Sequence, residues 1–342
     1  MSCVGAKFKL SCMCLNKIIM YRNNSVIIWK KYVNSFTFCI LSFFFIQLSA
    51  SAQFVNVSNG LLLVTDHTGG YLGSGVSFAD FNGDNVDDLT FGHHNGQIRF
   101  YQGDGVGFQE ISLNIVNDLN QTKSVIWADI DNDGDQDFLI TNRNASNKLW
   151  LNDGNMQFTD VTSTCGISTS VNSKSYGASF GDYDNDGFID LYICNFHTSV
   201  INIENELYHN NGDGIFTDMA ADWGADISVW AMSSTFGDCN RDGDMDLYVT
   251  NGSDGNFLFL NEIAQGGGFV DVTDVEGVQV NQLCWGACFI DHENDSWIDL
   301  YVATGINVFT DYPTVFDIMG VQPNAFFSSS GSSPMENVSD ET

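Results

Sequence analysis

Five times in this 342-residue chain a strand-like run leads into an acidic loop of one design, beginning at Asp80, Asp129, Asp182, Asp238 and Asp291. The spacings are 49, 53, 56 and 53 residues, which makes the chain a tandem array. A period of this length implies one supersecondary unit per repeat, stacked on its neighbours because it cannot bury its apolar faces alone.

Every loop carries oxygen-bearing side chains at its first, third, fifth and ninth positions. The sets are Asp80, Asn82, Asp84, Asp88; Asp129, Asp131, Asp133, Asp137; Asp182, Asp184, Asp186, Asp190; Asp238, Asn240, Asp242, Asp246; and Asp291, Glu293, Asp295, Asp299. Carboxylates this close repel one another unless a cation lies between them. A hard divalent cation suits the set, with the backbone carbonyls of the seventh positions, Val86, Asp135, Phe188, Asp244 and Trp297, as further oxygen ligands. The sixth position is Gly134, Gly187 and Gly243 in three copies, where a sharp turn calls for positive φ, and Asn85 tolerates the same region in the first. Ser296 and the longer Glu293 make the fifth loop the furthest from the pattern.

An EF-hand loop opens in the same way but closes on a bidentate Glu at position twelve and lies between helices. Here the twelfth positions are Phe91, Ile140, Ile193, Val249 and Val302, none of which can ligate. The runs after the loops, among them Phe138-Leu-Ile140, Leu191-Tyr-Ile193 and Leu247-Tyr-Val249, are β-branched and aromatic, so each loop joins two strands. About 10 to 20 residues later a second element recurs, as in Asn147-Lys-Leu-Trp-Leu-Asn-Asp-Gly154 followed by Phe158-Thr-Asp-Val161. Each repeat thus holds about four strands, the content of a β-propeller blade, whereas β-solenoid rungs are usually shorter. The expected fold is all-β, a propeller of four-stranded blades with cation-binding loops between strands.

At Phe180-Gly-Asp-Tyr-Asp-Asn-Asp-Gly-Phe-Ile-Asp-Leu191 and Asn210-Asn-Gly-Asp-Gly-Ile-Phe-Thr-Asp218 the sequence resembles the FG-GAP or VCBS repeat propellers, in the branch of cartilage acidic protein (ASPIC/UnbV-associated). The resemblance covers most of residues 54–342. It implies Ca²⁺ in the inter-strand loops, up to five ions here, as in integrin α-chain heads. It also implies a role in adhesion or recognition of an extracellular protein or glycan. Some carbohydrate-active enzymes carry the same repeats, so a lyase, a hydrolase or an accessory domain of one is the alternative. Such propellers usually have seven or eight blades, and the chain shows five loops. Either five blades close the ring or these are five blades of a larger one.

Residues 1–52 read as an export signal. Lys30 and Lys31 precede an apolar run of 13 residues, Phe36–Leu48, and Ala50-Ser-Ala52 offers a cleavage site before Gln53, with Met20 a candidate true start. The run is short of the ~20 apolar residues a membrane span needs, and no later segment qualifies, so the expected location is secreted or cell-surface with no transmembrane span in the mature chain. The remaining domain, residues 53–342, would hold 43 acidic against 6 basic side chains, a net charge of −37 in place of −31. That charge excludes nucleic acid and anionic membrane surfaces as partners. Disorder does not explain the acidity, because 44% of the residues are apolar and 13% aromatic.

Enzymatic chemistry finds little to work with. The His residues of the mature chain are scattered, and its only Arg residues are Arg99, Arg143 and Arg241, too few for a lyase acting on acidic polysaccharide. His93 and His94 read as solvated turn residues beside a possible groove. Cys165, Cys194, Cys239, Cys284 and Cys288 read as buried free thiols, with disulfides between neighbouring blades as the alternative. Trp127, Trp230, Trp285 and Tyr176, shortly before four of the loops, read as blade-to-blade packing or as an aromatic surface at one end of the propeller. Sequons stand at Asn56, Asn120, Asn144, Asn251 and Asn337.

Overall fold

The apolar run after each acidic loop forms the second strand of a four-stranded antiparallel blade in the computed structural model. The structure describes residues 19–22, 25–28, 74–93, 97–115, 121–170, 174–197, 203–252, 255–305 and 324–339. The apolar run and cleavage site of the expected export signal lie outside them. A separate unit, Met1–Asn56, contributes an antiparallel pair, β1 (Ile19–Arg22) and β2 (Ser25–Ile28).

Blade 1 is β3 (Val76–Ala79), β4 (Asp88–Phe91), β5 (Arg99–Gly103) and β6 (Phe108–Ile111). Blade 2 is β7 (Thr122–Ala128), β8 (Asp137–Asn142), β9 (Lys148–Asn152) and β10 (Phe158–Asp160). Blade 3 follows with β11 (Ser175–Gly181), β12 (Asp190–Asn195), β13 (Glu206–Asn210) and β14 (Phe216–Asp218). Blade 4 has β15 (Ala231–Gly237), β16 (Asp246–Asn251), β17 (Phe257–Asn261) and β18 (Phe269–Asp271), and blade 5 has β19 (Leu283–Ile290), β20 (Asp299–Gly305), β21 (Ala325–Ser328) and β22 (Glu336–Asn337). Each strand pairs with the next in sequence, so every blade is a simple meander. One-turn helices, α1 (Ala220–Trp223) and α2 (Thr273–Glu276), follow blades 3 and 4, and the rest of the described residues are strand and loop. The molecule is a five-bladed β-propeller.

The core lies between blades, because a blade is apolar on both faces. The second strands β8, β12 and β16 are buried along their whole length, which explains their continuous apolar sequence. Leu139 and Leu149 of blade 2 meet Leu191 and Ile193 of blade 3 in one cluster; similar clusters join blades 1 and 2, 3 and 4, and 4 and 5. The first strands lie innermost and approach backbone to backbone. A Cβ at Gly75 would lie 2.8 Å from Ser124 Cα, and one at Gly177 would lie 2.6 Å from Ser233 Cα, so this position takes only small residues. At Gly286, its counterpart in blade 5, no atom lies within 4 Å, and on β3 of blade 1 Val76 and Phe78 are exposed. Covered seams thus separate successive blades, while these outer faces of blades 5 and 1 stand open among the described residues.

Candidate metal centres

All five loops fold alike, and the first and ninth Asp do most of the work. The first Asp accepts from the backbone N–H groups of positions five and six: Asp129 takes Asp133 N at 3.1 Å and Gly134 N at 3.0 Å, and Asp291 does the same with Asp295 and Ser296. The fifth residue accepts from the N–H of the seventh, as Asp133 does from Asp135 and Asp186 from Phe188. Positive φ at position six is met by Gly134, Gly187 and Gly243, by Asn85, and also by Ser296 at 74°. The fifth loop thus keeps the shared backbone despite a residue poorly suited to it.

The ninth Asp is fully buried in every copy and serves a second purpose. Asp137 accepts from Ile130 N at 2.9 Å within its loop and from Asn152 N at 2.7 Å on the third strand. Asp88, Asp190, Asp246 and Asp299 repeat both bonds. Sequence reading assigned these residues to the ion alone; the structure makes them braces from loop to sheet as well. Each carboxylate oxygen keeps a lone pair for a cation. Burial pushes the Asp137 carboxyl up to about 7 and those of Asp88 and Asp246 up to about 6, and Asp190 moves the same way. Backbone N–H donors oppose that shift in each case, and an adjacent cation would oppose it further.

The donors fit a metal ion. Oxygens of Asp129, Asp131 and Asp137 converge within 4.8 Å of one another, as do those of Asp182, Asp184 and Asp186. Asp131 Oδ1 is buried with no hydrogen-bond partner, a costly state for a carboxylate oxygen unless a cation meets it. In the first and fourth loops the third residue, Asn82 or Asn240, turns its amide nitrogen toward Asp84 or Asp242 and its oxygen toward the N–H of that same residue. Glu293 departs from the set, since Ser328 Oγ donates to its carboxylate at 3.1 Å and His292 Nδ1 lies 3.6 Å away.

Two sets of residues that sequence reading passed over link the loops. Fourth positions adopt positive φ, and their side chains reach the next blade. Asn132 Nδ2 donates to Gly187 O at 2.9 Å, Asn185 Nδ2 to Asp244 Oδ1 at 2.8 Å, and the Arg241 guanidinium lies 4.8 Å above the Trp297 ring. The Asn ending each third strand reaches the preceding blade: Asn152 Nδ2 donates to Phe81 O, Asn210 to Ile130 O and Asn261 to Tyr183 O, at 3.3, 2.8 and 2.6 Å. In the sequence the first set shows as Asn132, Asn185 and Asn294 at the fourth position, and the second as Asn152, Asn210 and Asn261 at the end of the third strand.

The aromatic residues divide. Trp127 packs in the seam of blades 1 and 2, stacked on Phe81 at 5.1 Å. At the end of the propeller away from the loops, Tyr176, Phe196 and Met232 are buried against the half-buried Trp230 and Trp285, with Phe196 stacked on Trp230 at 5.2 Å. Lys123 lies over the Tyr176 ring. His93, expected at a solvated turn, is buried, with Nδ1 unpartnered, and lines a cleft of about 390 Å³ beside Arg99 and Glu110; His94 lies outside the described residues. Cys165, Cys194, Cys239 and Cys284 are buried free thiols, whereas Cys288 is a free thiol at the surface. The Asn251 sequon is buried, and Asn144 and Asn337 are exposed. Among the described residues no helix is long and apolar enough to cross a membrane.

The FG-GAP-like repeat family matches residues 80–140, 129–193, 200–249 and 238–302, more than half of the chain. Over 162 residues the chain is 27% identical to Cartilage acidic protein 1 of Xenopus tropicalis, a stretch that is 44% of this chain and 24% of that protein. It therefore spans about a quarter of that relative's length. Among solved structures it is similar to the V. cholerae biofilm matrix protein Bap1, at 18% identity and a TM-score of 0.42, covering 76% of this chain and 38% of that one. BBS1N in complex with ARL6DN gives 9% identity and a TM-score of 0.41, covering 67% and 64%. The family's repeats fall on the acidic loops and on the strands that carry them, and the chain belongs to the FG-GAP-like repeat family of β-propellers.

Proposed function

We propose that this chain is an extracellular recognition module, secreted or held at the cell surface, whose acidic loops take up Ca²⁺ at one end of the propeller. In this reading the opposite end receives a protein or glycan ligand. The observation that carries it is the division of the two ends. The loops are bonded to one another from blade 2 to blade 5, and the far end carries half-buried Trp230 and Trp285 packed against buried Tyr176, Phe196 and Met232. Ion binding stiffens the loop end through charge neutralisation, and indole rings are groups that stack on sugars and anchor protein contacts.

Binding to a glycan array and to candidate extracellular proteins, with calcium and with EDTA, tests the reading on the full chain and on Trp285→Ala. Calcium-dependent binding without turnover, weakened in the variant when both proteins are assayed well below their melting temperatures, is the expected result. Cleavage of a glycan would replace the reading with a carbohydrate-active enzyme, and binding indifferent to both calcium and Trp285 would remove it.

A further inference from the structure

One loop has a donor that the others lack. The residue before the terminal Asn of the third strand is Leu151 in blade 2 and Leu260 in blade 4, but His209 in blade 3. Its imidazole lies over the third acidic loop. Nδ1 is 3.0 Å from Asp184 Oδ2 and 3.4 Å from Asp190 Oδ1, and Nε2 is 3.9 Å from Asp186 Oδ2. Nδ1 is buried and has no hydrogen-bond partner, although it faces two carboxylates. The Tyr183 ring meets the imidazole edge to face at 6.4 Å.

We propose that the third loop is a mixed nitrogen and oxygen site that takes a borderline first-row divalent cation of the Zn²⁺ class, through Asp184, Asp190 and His209 Nδ1. The inference rests on the acidic loops being metal sites and concerns which metal this one prefers. Ca²⁺ takes oxygen ligands, whereas imidazole suits zinc and its neighbours. Ligand atoms bound at about 2.1 Å are separated by about 3.0 Å at a right angle and about 3.4 Å at the tetrahedral angle, which are the two separations found here. Donor atoms of all three residues lie within 4.8 Å of one another. Asp186 Oδ2 lies on the side of the second ring nitrogen at 3.9 Å, beyond direct hydrogen-bond reach.

The test is a Zn²⁺ titration by calorimetry, with Co²⁺ absorption as a second probe, on the full chain stripped with EDTA and returned to about 1 mM Ca²⁺. Wild type, His209→Leu and Asp184→Asn are compared. Leu fills the same place in blades 2 and 4, so His209→Leu should keep its fold and its calcium-dependent rise in melting temperature. Wild type should bind one zinc equivalent that calcium does not displace, about 30-fold or more tighter than either variant, with Co²⁺ bands lost in His209→Leu. Equal zinc affinity in wild type and His209→Leu, or complete displacement by calcium, overturns the assignment while leaving calcium binding intact. A wild-type melting temperature moved by neither cation removes the metal reading of the loops altogether.

Discussion

Asn210, the last residue of the third strand in blade 3, donates through Nδ2 to the carbonyl of Ile130 in the acidic loop of blade 2, at 2.8 Å. Its own N–H goes to Asp190 at 2.8 Å, so one residue joins its sheet, its loop and the neighbouring loop. Asn210→Ala leaves the buried Ile130 carbonyl without a partner. We expect a loss of about 1–3 kcal/mol in unfolding free energy, read by denaturant titration, against no measurable change for the exposed Asn155→Ala.

The two kinds of loop carboxylate should separate experimentally. Asp137→Ala deprives Ile130 and Asn152 of their acceptor, so it should lower the melting temperature in EDTA as well as in calcium. Asp133→Ala removes a more exposed group and should lower it mainly in calcium. Equal losses in the two buffers for both variants would contradict the division.

Calcium should raise stability by mass action. A site with a dissociation constant near 0.1 mM in about 1 mM calcium contributes about 1.4 kcal/mol, so several such sites approach the 5–15 kcal/mol of an ordinary domain. A melting temperature unmoved by EDTA would count against calcium in the loops.

Glu206 on β13 sets a pH dependence away from the loops. Burial pushes its carboxyl up to about 7, and Oε2 has no hydrogen-bond partner. The unfolded value is about 4.3, so the folded state holds a proton that the unfolded state has released. Its contribution is therefore greatest at low pH and is lost as pH rises from about 4 through 7, by up to about 4 kcal/mol. Glu206→Gln should flatten this part of the stability profile between about pH 4 and 7, the window in which the two forms differ. A wild-type slope retained in the variant would place its origin elsewhere.

Sequence alone determined the repeat, the four strands of each unit and the positive φ at position six of the loops. These depend on alternation and spacing within about a dozen residues, which leave their mark locally. The apolar twelfth positions, Phe91 to Val302, were enough to set the loops between strands. Tertiary structure decided what the same residues do at a distance. It buried the ninth Asp against the third strand, sent Asn185 to Asp244 and Asn210 to Ile130, and set His209 of one loop alone among carboxylates. It also divided the aromatic residues between the seam at Trp127 and the far end at Trp230. The partners of the contacts between blades lie in another repeat and are not fixed by spacing within one unit, because they depend on how one blade is packed against the next.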